Sequence, residues 1–259
     1  MKKTIALFFA LITILSMSAC RIEKVSDSKQ PAQTYHLNIR NFAAISNSTN
    51  CDVHFTQSST YSVTLKATKR WYENHDINVS NGVLTLSEKS QEREKGVTVV
   101  SLVNSDGGAE LWVSGPNLSA AQMYGSGDFK LESDLRGESL EIDIAGSGDT
   151  CLKGVSLNGD FEYNLAGSGD LRTGLIKAQN AKFSVAGSGD IHTGLENVNN
   201  IGIGISGSGD VDANFNNCGY ASVSISGSGD MTLQGQLKRL DKSVSGSGDI
   251  DTSRLQVSK

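Results

Sequence analysis

Histidine and cysteine, which often mark metal and redox centres, are scarce in this chain of 259 residues. The four histidines, His36, His54, His75 and His192, are scattered, and no pair stands at the spacing of metal ligands. The sequence also has no nucleophile elbow and no phosphate-binding loop. It therefore offers no motif for a metalloenzyme, for a hydrolase built on such an elbow or for a P-loop nucleotide enzyme.

The few cysteines do not suggest a disulfide framework. Apart from Cys20, which belongs to the export signal, they are Cys51, Cys151 and Cys218, an odd number. An odd set cannot pair completely within one chain. We expect these three side chains to be small buried hydrophobes.

Long apolar stretches and an excess of basic charge are absent as well. The apolar run from Ile5 to Leu15 is shorter than the ~20 residues that a membrane-spanning helix needs. Because Lys2 and Lys3 precede it, the run is typical of a signal peptide over residues 1–19. Without these residues the chain keeps 28 acidic and 21 of its 23 basic residues, a net charge of −7. Nothing in this composition indicates binding to nucleic acid.

The end of the signal peptide contains a second motif. The segment Ser16-Met17-Ser18-Ala19-Cys20 resembles the lipobox of bacterial lipoproteins, with methionine in the usual place of leucine. The resemblance implies that Cys20 bears a lipid and that residues 20–33 are a polar tether to a membrane. It also implies the outer membrane, because Arg21 stands where aspartate favours inner-membrane retention. An ordinary signal peptide with an incidental cysteine is the alternative.

Glycine is abundant: half of the 28 glycines belong to one repeated tetrapeptide. Gly-Ser-Gly-Asp occurs seven times, at intervals of 21, 21, 20, 20, 20 and 19 residues. A period near 20 residues over half the chain predicts a solenoid in which each repeat is one stacked rung. The aspartates of the seven copies are Asp128, Asp149, Asp170, Asp190, Asp210, Asp230 and Asp249.

Apolar residues recur at every second position on both sides of each tetrapeptide. Leu140, Ile142 and Ile144 precede one copy, and Phe129 and Leu131 follow another. The alternation predicts two strands that meet at a tight corner. A third apolar position follows farther on, at Leu135, Val155, Leu175, Leu195, Phe215, Leu237 and Leu255.

Two strands, a tight corner, a looser corner and a short third side make a rung of roughly 65 Å contour length at about 3.3 Å per residue. This length predicts an all-β fold, a three-sided β-helix around one column of apolar side chains. Leucine-rich repeats require a different leucine pattern and a helical side. A meander of antiparallel hairpins is an alternative, because hairpin turns also favour glycine.

Stacked rungs would bring the seven aspartates into a file with one carboxylate about every 4.8 Å. At that distance two unit charges repel by roughly 0.9 kcal/mol in water. We expect a structural role, in which the glycines adopt positive φ and the serine and aspartate side chains bind backbone N–H groups. The alternative is a file that binds cations such as Ca²⁺, which prefers carboxylate oxygens.

Residues 34–124 lack the repeat and form an irregular half, with turn signals such as Asn81-Gly82. We predict that this half caps the regular rungs of residues 125–259. No linker separates the halves, so residues 34–259 are predicted to be one elongated domain. Candidate strands of the irregular half are Tyr35–Ile39, Cys51–Thr56, Tyr61–Ala67, Asp76–Val79, Val83–Ser87, Val97–Leu102 and Glu110–Ser114.

Four segments of this half, together with the glycine-rich series, resemble a known family. Cys51–Gln57, Tyr61–Ala67, Asn81–Leu86 and Val113–Leu118 are similar to the GIN head domain family of putative autotransporter adhesins. The resemblance covers roughly residues 42–257. It implies a right-handed parallel β-helix in an exported bacterial protein, and it brings no established catalytic residues.

Two functional hypotheses of different classes follow. One is a lipid-anchored, non-catalytic envelope protein whose repetitive surface binds a glycan or another protein. The other is a carbohydrate-active enzyme like the β-helical polysaccharide lyases, which combine acidic residues, calcium and a basic residue. The first is favoured, because an enzyme needs one cluster of unlike groups, whereas these rungs repeat the same residue types without long loops to wall a cleft.

Overall fold

The computed structural model describes residues 31–89 and 108–258. It is all-β, with 69% strand and 3% helix, and forms a β-solenoid of about seven turns with rungs of roughly 20 residues, as the repeat predicts. One helix, α1 (Lys69–Asn74), lies within the described ranges. The strands are β1 (Gln33–Leu37), β2 (Ala44–Asn47), β3 (Cys51–Gln57), β4 (Ser62–Ala67), β5 (His75–Ser80), β6 (Val83–Glu88), β7 (Ala109–Gly115), β8 (Ala120–Gly125), β9 (Phe129–Leu131), β10 (Leu135–Gly137), β11 (Leu140–Gly146), β12 (Thr150–Leu152), β13 (Val155–Leu157), β14 (Asp160–Gly167), β15 (Leu171–Lys177), β16 (Asn180–Gly187), β17 (Ile191–Glu196), β18 (Asn200–Gly207), β19 (Val211–Gly227), β20 (Met231–Gly246) and β21 (Ile250–Val257).

The strands that precede the tetrapeptides form the first face of the solenoid, and those that follow them form the second face. Short segments such as β10 and β13 form the third. On the first face β11 and β14 are parallel, so that Ile144 lies beside Leu165 and Gly146 beside Gly167. The same register continues through β16, β18, β19 and β20. This parallel pairing excludes the antiparallel meander and stacks equivalent positions of successive repeats.

The core is the column of inward side chains that the alternation predicts. On the first face Ile142, Tyr163 and Phe183 occupy one column and are almost fully buried. The rings of Phe161 and Phe183 pack with their centroids 5.4 Å apart. Burial of a side chain of this size contributes about 1.5–3 kcal/mol, so the column is a main source of stability.

Close stacking of backbones explains both glycines of the tetrapeptide. Gly187 has φ 148°, and an added Cβ would collide with the carbonyl oxygen of Gly167 in the preceding rung. At Gly189 an added Cβ would collide with the carbonyl oxygen of Gly169. Between them, the Ser188 N–H donates to the Gly167 carbonyl oxygen at 3.0 Å. The corner therefore requires glycine at two positions in each rung, for conformation and for space.

The N-terminal half closes one end of the stack, but its strands do not follow one another in chain order. β2 lies between β6 and β8, and β3 lies between β7 and β9, all in parallel. Beyond this rung, β5 pairs antiparallel with β6, β4 pairs antiparallel with β7, and β1 pairs antiparallel with β4. The chain thus returns upon itself before the regular rungs begin.

A short helix at this end holds a buried tryptophan in place. Thr68 caps α1 by accepting a hydrogen bond from the Trp71 N–H at 3.1 Å. The Trp71 indole N–H donates to the Asn50 side chain at 3.1 Å, and its ring stacks on His75 at 3.9 Å. This helix and β2 were not predicted, because neither segment carries a clear hydrophobic period.

Two residues that were predicted to be buried are exposed. Leu175 is 41% exposed, whereas Ile176 is fully buried and pairs with Val155 and Leu195. The cause is a register shift between Arg172 and Leu175, which moves the inward position of this rung by one residue. Cys151 is the other error, since it is exposed on β12, between the buried Thr150 and Leu152.

Cys51 and Cys218 are free and buried, as predicted. Burial raises the pKa of both thiols above the ordinary value, so they remain protonated and unreactive at neutral pH. Cys20, the signal peptide and the candidate strand Val97–Leu102 lie outside the described residues.

Candidate functional site

The aspartates of the repeated corner form a continuous ladder. In every rung except the last, one carboxylate oxygen, Oδ1, accepts a hydrogen bond from the backbone N–H of the aspartate in the next rung. The distances are 2.8 to 3.1 Å along the series Asp128, Asp149, Asp170, Asp190, Asp210, Asp230 and Asp249. The carboxylates thus satisfy backbone donors that the sharp corner would otherwise leave unpaired.

The ladder begins one rung earlier than the tetrapeptide shows. Asp52 Oδ1 accepts from the Asp128 N–H at 2.9 Å, although its corner reads Thr49-Asn50-Cys51-Asp52 and has no glycine. Buried Asn47 holds this corner, because its amide donates to the Cys51 carbonyl at 2.7 Å and its oxygen accepts from Thr49. A sequence signal for Asp52 exists only in the apolar alternation of Val53 and Phe55 behind it.

Basic side chains contact two aspartates of the ladder. The Lys130 ammonium lies 3.1 Å from Asp128 Oδ2, and this hydrogen bond raises the pKa of Lys130. The Arg172 guanidinium lies 3.3 Å from Asp170 Oδ2. Within residues 31–89 and 108–258, no three histidine, cysteine or acidic side chains converge in a way that could hold a metal ion.

A row of unlike side chains runs along the outside of the second face. His54 and Trp112 stack with ring centroids 3.9 Å apart, and His54 Nδ1 lies 2.6 Å from Glu132 Oε1. Trp112 is 44% exposed. Partial burial opposes ionisation of Glu110, but hydrogen bonds from Lys66 and the Trp112 indole keep its pKa below the ordinary value. This patch combines an exposed aromatic ring with charged groups.

The potentially reactive groups of this row lie on different rungs. Register places His54 beside Lys130, Lys130 beside Cys151, and Cys151 beside Arg172. His54 and Cys151 are therefore two rungs, or about 9.6 Å, apart. A nucleophile and its base need direct hydrogen-bond contact, so this row does not assemble a thiol and an imidazole into a reactive pair.

The first face carries a shallow open depression of about 690 Å³. Its floor consists of small outward side chains from successive rungs, and the exposed ring of Tyr124 stands at one end. The outward positions that line it are Tyr124, Asp143, Ala145, Asn164, Ala166, Ser184, Ala186, Gly204, Ser206, Ser224 and Ser226. Such a strip lets a ligand approach the sheet closely over several rungs.

The polar side chains in and beside this strip divide into paired groups and serine hydroxyls. The Asn164 amide donates to Asp143 Oδ1 at 3.0 Å and to Glu162 Oε1 at 3.3 Å. The Lys182 ammonium lies 2.7 Å from Glu162 and keeps the pKa of that carboxyl below its ordinary value. The serine hydroxyls of the strip make no hydrogen bond to any other residue that the structure describes.

The model of the family described as "Putative auto-transporter adhesin, head GIN domain" matches residues 41–217 and 192–259. The chain belongs to this GIN domain family. The match includes the Asp52 corner, the whole ladder and both outward surfaces. A comparison with curated proteins found no match to the sequence.

Solved structures share the GIN fold at low sequence identity. A "putative adhesin" from Bacteroides fragilis NCTC 9343 superposes with a TM-score of 0.67 at 20% identity, over 85% of this chain and 95% of that chain. A "putative adhesin" from Parabacteroides merdae gives 0.58 at 19% identity, over 85% and 96%. A "putative lipid binding protein" from Parabacteroides distasonis gives 0.54 at 18%, over 85% and 96%. These similarities establish the solenoid fold.

Within the described ranges, no helix has the length and apolar character needed to cross a bilayer.

Proposed function

We propose that this protein is a lipid-anchored, non-catalytic component of the cell envelope whose first face binds a glycan or another protein. The observation that carries the proposal is the depression beside Tyr124, where free serine hydroxyls line a floor of small side chains. Its volume is within the range of about 300–1,000 Å³ that ligand sites occupy. Membership of an adhesin family supports an envelope location.

The non-catalytic part of the proposal rests on how the outward groups are arranged. Each strand repeats alanine, serine or glycine at the floor of the depression, and repetition favours an extended ligand over one reacting centre. The aspartates already accept backbone hydrogen bonds, and those of two rungs also pair with cations.

The binding surface can be tested by filling the depression. Ala186→Arg places a long charged side chain on its floor, and we expect roughly ten-fold weaker binding or more, equivalent to about 1.4 kcal/mol. Binding is measured on a glycan array and by pull-down from envelope extracts. Asn214→Arg is the matched control, because it adds the same charge at an exposed position of the second face. Equal effects of the two substitutions would refute the first-face assignment.

The anchor is tested separately. Cys20→Ala removes the predicted lipid attachment site, and we expect loss of lipid labelling and release from the membrane fraction, since multiple acyl chains hold a protein stably where one holds it marginally. Unchanged membrane association would refute the lipoprotein assignment and leave the binding test unaffected.

A further inference from the structure

The N-terminal half carries an exposed tryptophan that its neighbours hold in one orientation. Trp112 of β7 is 44% exposed, whereas the buried Trp71 is 1% exposed. The His54 ring stacks on one face of the Trp112 indole, with a centroid distance of 3.9 Å and an interplanar angle of 8°, and the indole N–H donates to Glu110. His54 is held in turn by Glu132, whose Oε1 lies 2.6 Å from Nδ1. An aromatic ring that is ordered before a ligand arrives loses little conformational entropy on binding.

The free face of this indole borders a slot above the neighbouring strand. His54 lies on the β3 side of Trp112, so the opposite face of the ring is directed toward β4, where register places the short side chain of Thr64. The row continues with His36 of β1, which is exposed and has its Nδ1 3.2 Å from Thr64 Oγ1. Trp112 and His36 are therefore two strands, or about 9.6 Å, apart. A six-membered ring with carbon contacts of about 3.5–4.0 Å on each side fits this Thr64 slot, the space over Thr64 between Trp112 and His36.

Polar side chains border the Thr64 slot on both sides along its strands. On one side Lys66 of β4 lies opposite Glu110 of β7, with the ammonium 3.3 Å from the carboxylate. On the other side Ser62 lies opposite Ser114 on the same two strands. Each pair is two residues, or about 6.8 Å, along the strands from the centre of the slot. The slot therefore combines an aromatic wall with hydrogen-bond donors and acceptors along both rims, as small-molecule sites do.

The charges around the slot already have partners. Three pairs have contacts of 2.6 to 3.3 Å, namely Lys66 with Glu110, Lys130 with Asp128, and His54 with Glu132. Asp52 accepts the backbone N–H of Asp128 at 2.9 Å. An anionic ligand would have to displace a carboxylate from a lysine, and a cationic ligand would have to displace a lysine from a carboxylate. Each carboxylate keeps lone pairs that can accept a hydroxyl group, so an uncharged polyhydroxyl ligand suits the slot best.

We propose that the Thr64 slot binds an uncharged oligosaccharide, with one sugar ring packed against the free face of Trp112. A pyranose ring has apolar C–H groups on its faces and hydroxyls around its rim, which matches an aromatic wall with polar rims. The slot belongs to the second face and is separate from the depression on the first face. Binding through apolar and hydroxyl contacts is insensitive to salt, because no net charge is neutralised.

Sugars of different charge test the ligand class. The full chain with Cys20→Ala, which removes the predicted lipid site, is titrated with cellohexaose, maltohexaose, xylohexaose and hexa-N-acetylchitohexaose. Calorimetry measures binding, and tryptophan emission reports Trp112, because Trp71 is buried. We expect at least one of these sugars to bind, to shift the emission and to keep its affinity from low to high salt. For hexagalacturonate, which is anionic, and the glucosamine hexamer, which is cationic, we expect at least ten-fold weaker binding.

Two substitutions test the place of binding. Thr64→Arg fills the slot and Trp112→Ala removes its wall, and we expect each to weaken sugar binding at least ten-fold. Thr232→Arg is the matched control, because it makes the same change at an outward position of the second face, on β20 at the other end of the array. Ala186→Arg, on the floor of the first-face depression, separates the two faces. Thermal unfolding monitored by circular dichroism verifies that the variants are folded.

The outcomes separate this proposal from the proposed function of the first face. Loss of binding in Thr64→Arg and Trp112→Ala, with binding retained in Ala186→Arg, supports the slot. Loss in Ala186→Arg alone overturns the slot and leaves the first-face proposal standing. Equal losses in Thr64→Arg and Thr232→Arg overturn it as well. So does a chain that binds none of the four uncharged sugars, or one that binds either charged sugar more tightly.

Discussion

At the scale of single residues, the hydrogen bonds of the aspartate ladder offset the repulsion between stacked carboxylates. Each carboxylate in the series except the last, Asp249, accepts a backbone N–H of the next rung, and a charged acceptor makes that hydrogen bond stronger than a neutral one. The bond offsets a repulsion of roughly 0.9 kcal/mol per neighbour in water. Aspartate therefore suits this position, because its acceptor oxygen has the reach and geometry to contact the next rung.

This role predicts different outcomes for two substitutions of Asp190, whose Oδ1 accepts from the Asp210 N–H at 2.8 Å. Asp190→Asn keeps the acceptor and removes one charge, so the free energy of unfolding should change by less than about 0.5 kcal/mol. Asp190→Ala leaves the Asp210 N–H without its partner and should cost about 1–2 kcal/mol. Denaturant unfolding measures both, with calcium and with chelator. A calcium-dependent rise in wild-type Tm that Asp190→Asn diminishes would instead favour the cation file.

A buried pair of hydroxyls gives a second prediction. Thr150 Oγ1 and Tyr163 Oη are enclosed without a partner at hydrogen-bonding geometry, and burial raises the pKa of Tyr163 to about 12, although nearby Thr150 opposes the shift. Removing both hydroxyls as Thr150→Val with Tyr163→Phe should leave stability unchanged or raise it by about 1 kcal/mol. Calorimetric unfolding checks this. A loss of more than about 1 kcal/mol would contradict the prediction and mean that the hydroxyls make favourable contacts with other groups.

At the scale of strands and corners, the parts of the fold that can be predicted from sequence are those that repeat. The sequence predicts the solenoid, the two long faces and the ladder from Asp128 onward, because each rung must satisfy the same corner geometry. The place of Asp52 in the ladder was not predicted, because its corner has no glycine and is supported by Asn47. Cys151 and Leu175 were misplaced for different reasons: an outward strand position tolerates a thiol, and a register shift is invisible to period-two counting.

Corner geometry can be tested with two glycines on the first face. Gly187→Ala meets both an unfavourable φ of 148° and a collision with the Gly167 carbonyl, so it should cost about 2–4 kcal/mol. Gly202→Ala is the matched control, because its nearest neighbour is the Lys182 side chain at 4.0 Å. We expect it to be neutral or slightly stabilising, since alanine restricts the unfolded chain. Similar losses in denaturant unfolding for both variants would argue against corner strain.

At the scale of the whole array of rungs, each rung contacts only its neighbours, and stability is approximately a sum of rung and interface contributions. A rung inside the array is supported on two sides. The last rung, from residue 239 to Val257, is supported on one side, while the antiparallel strands at the other end add a second layer. The array should therefore open from its C-terminal end.

Hydrogen exchange measures this asymmetry rung by rung. Amides of residues 239–257 should be at least ten-fold less protected than those of β18, a difference of about 1.4 kcal/mol in opening free energy. Amides of β7 and β3, which lie beneath the antiparallel strands, should retain the protection of the central rungs. Uniform protection along the array would contradict nearest-neighbour stability, and opening from β1 and β5 first would reverse its predicted direction.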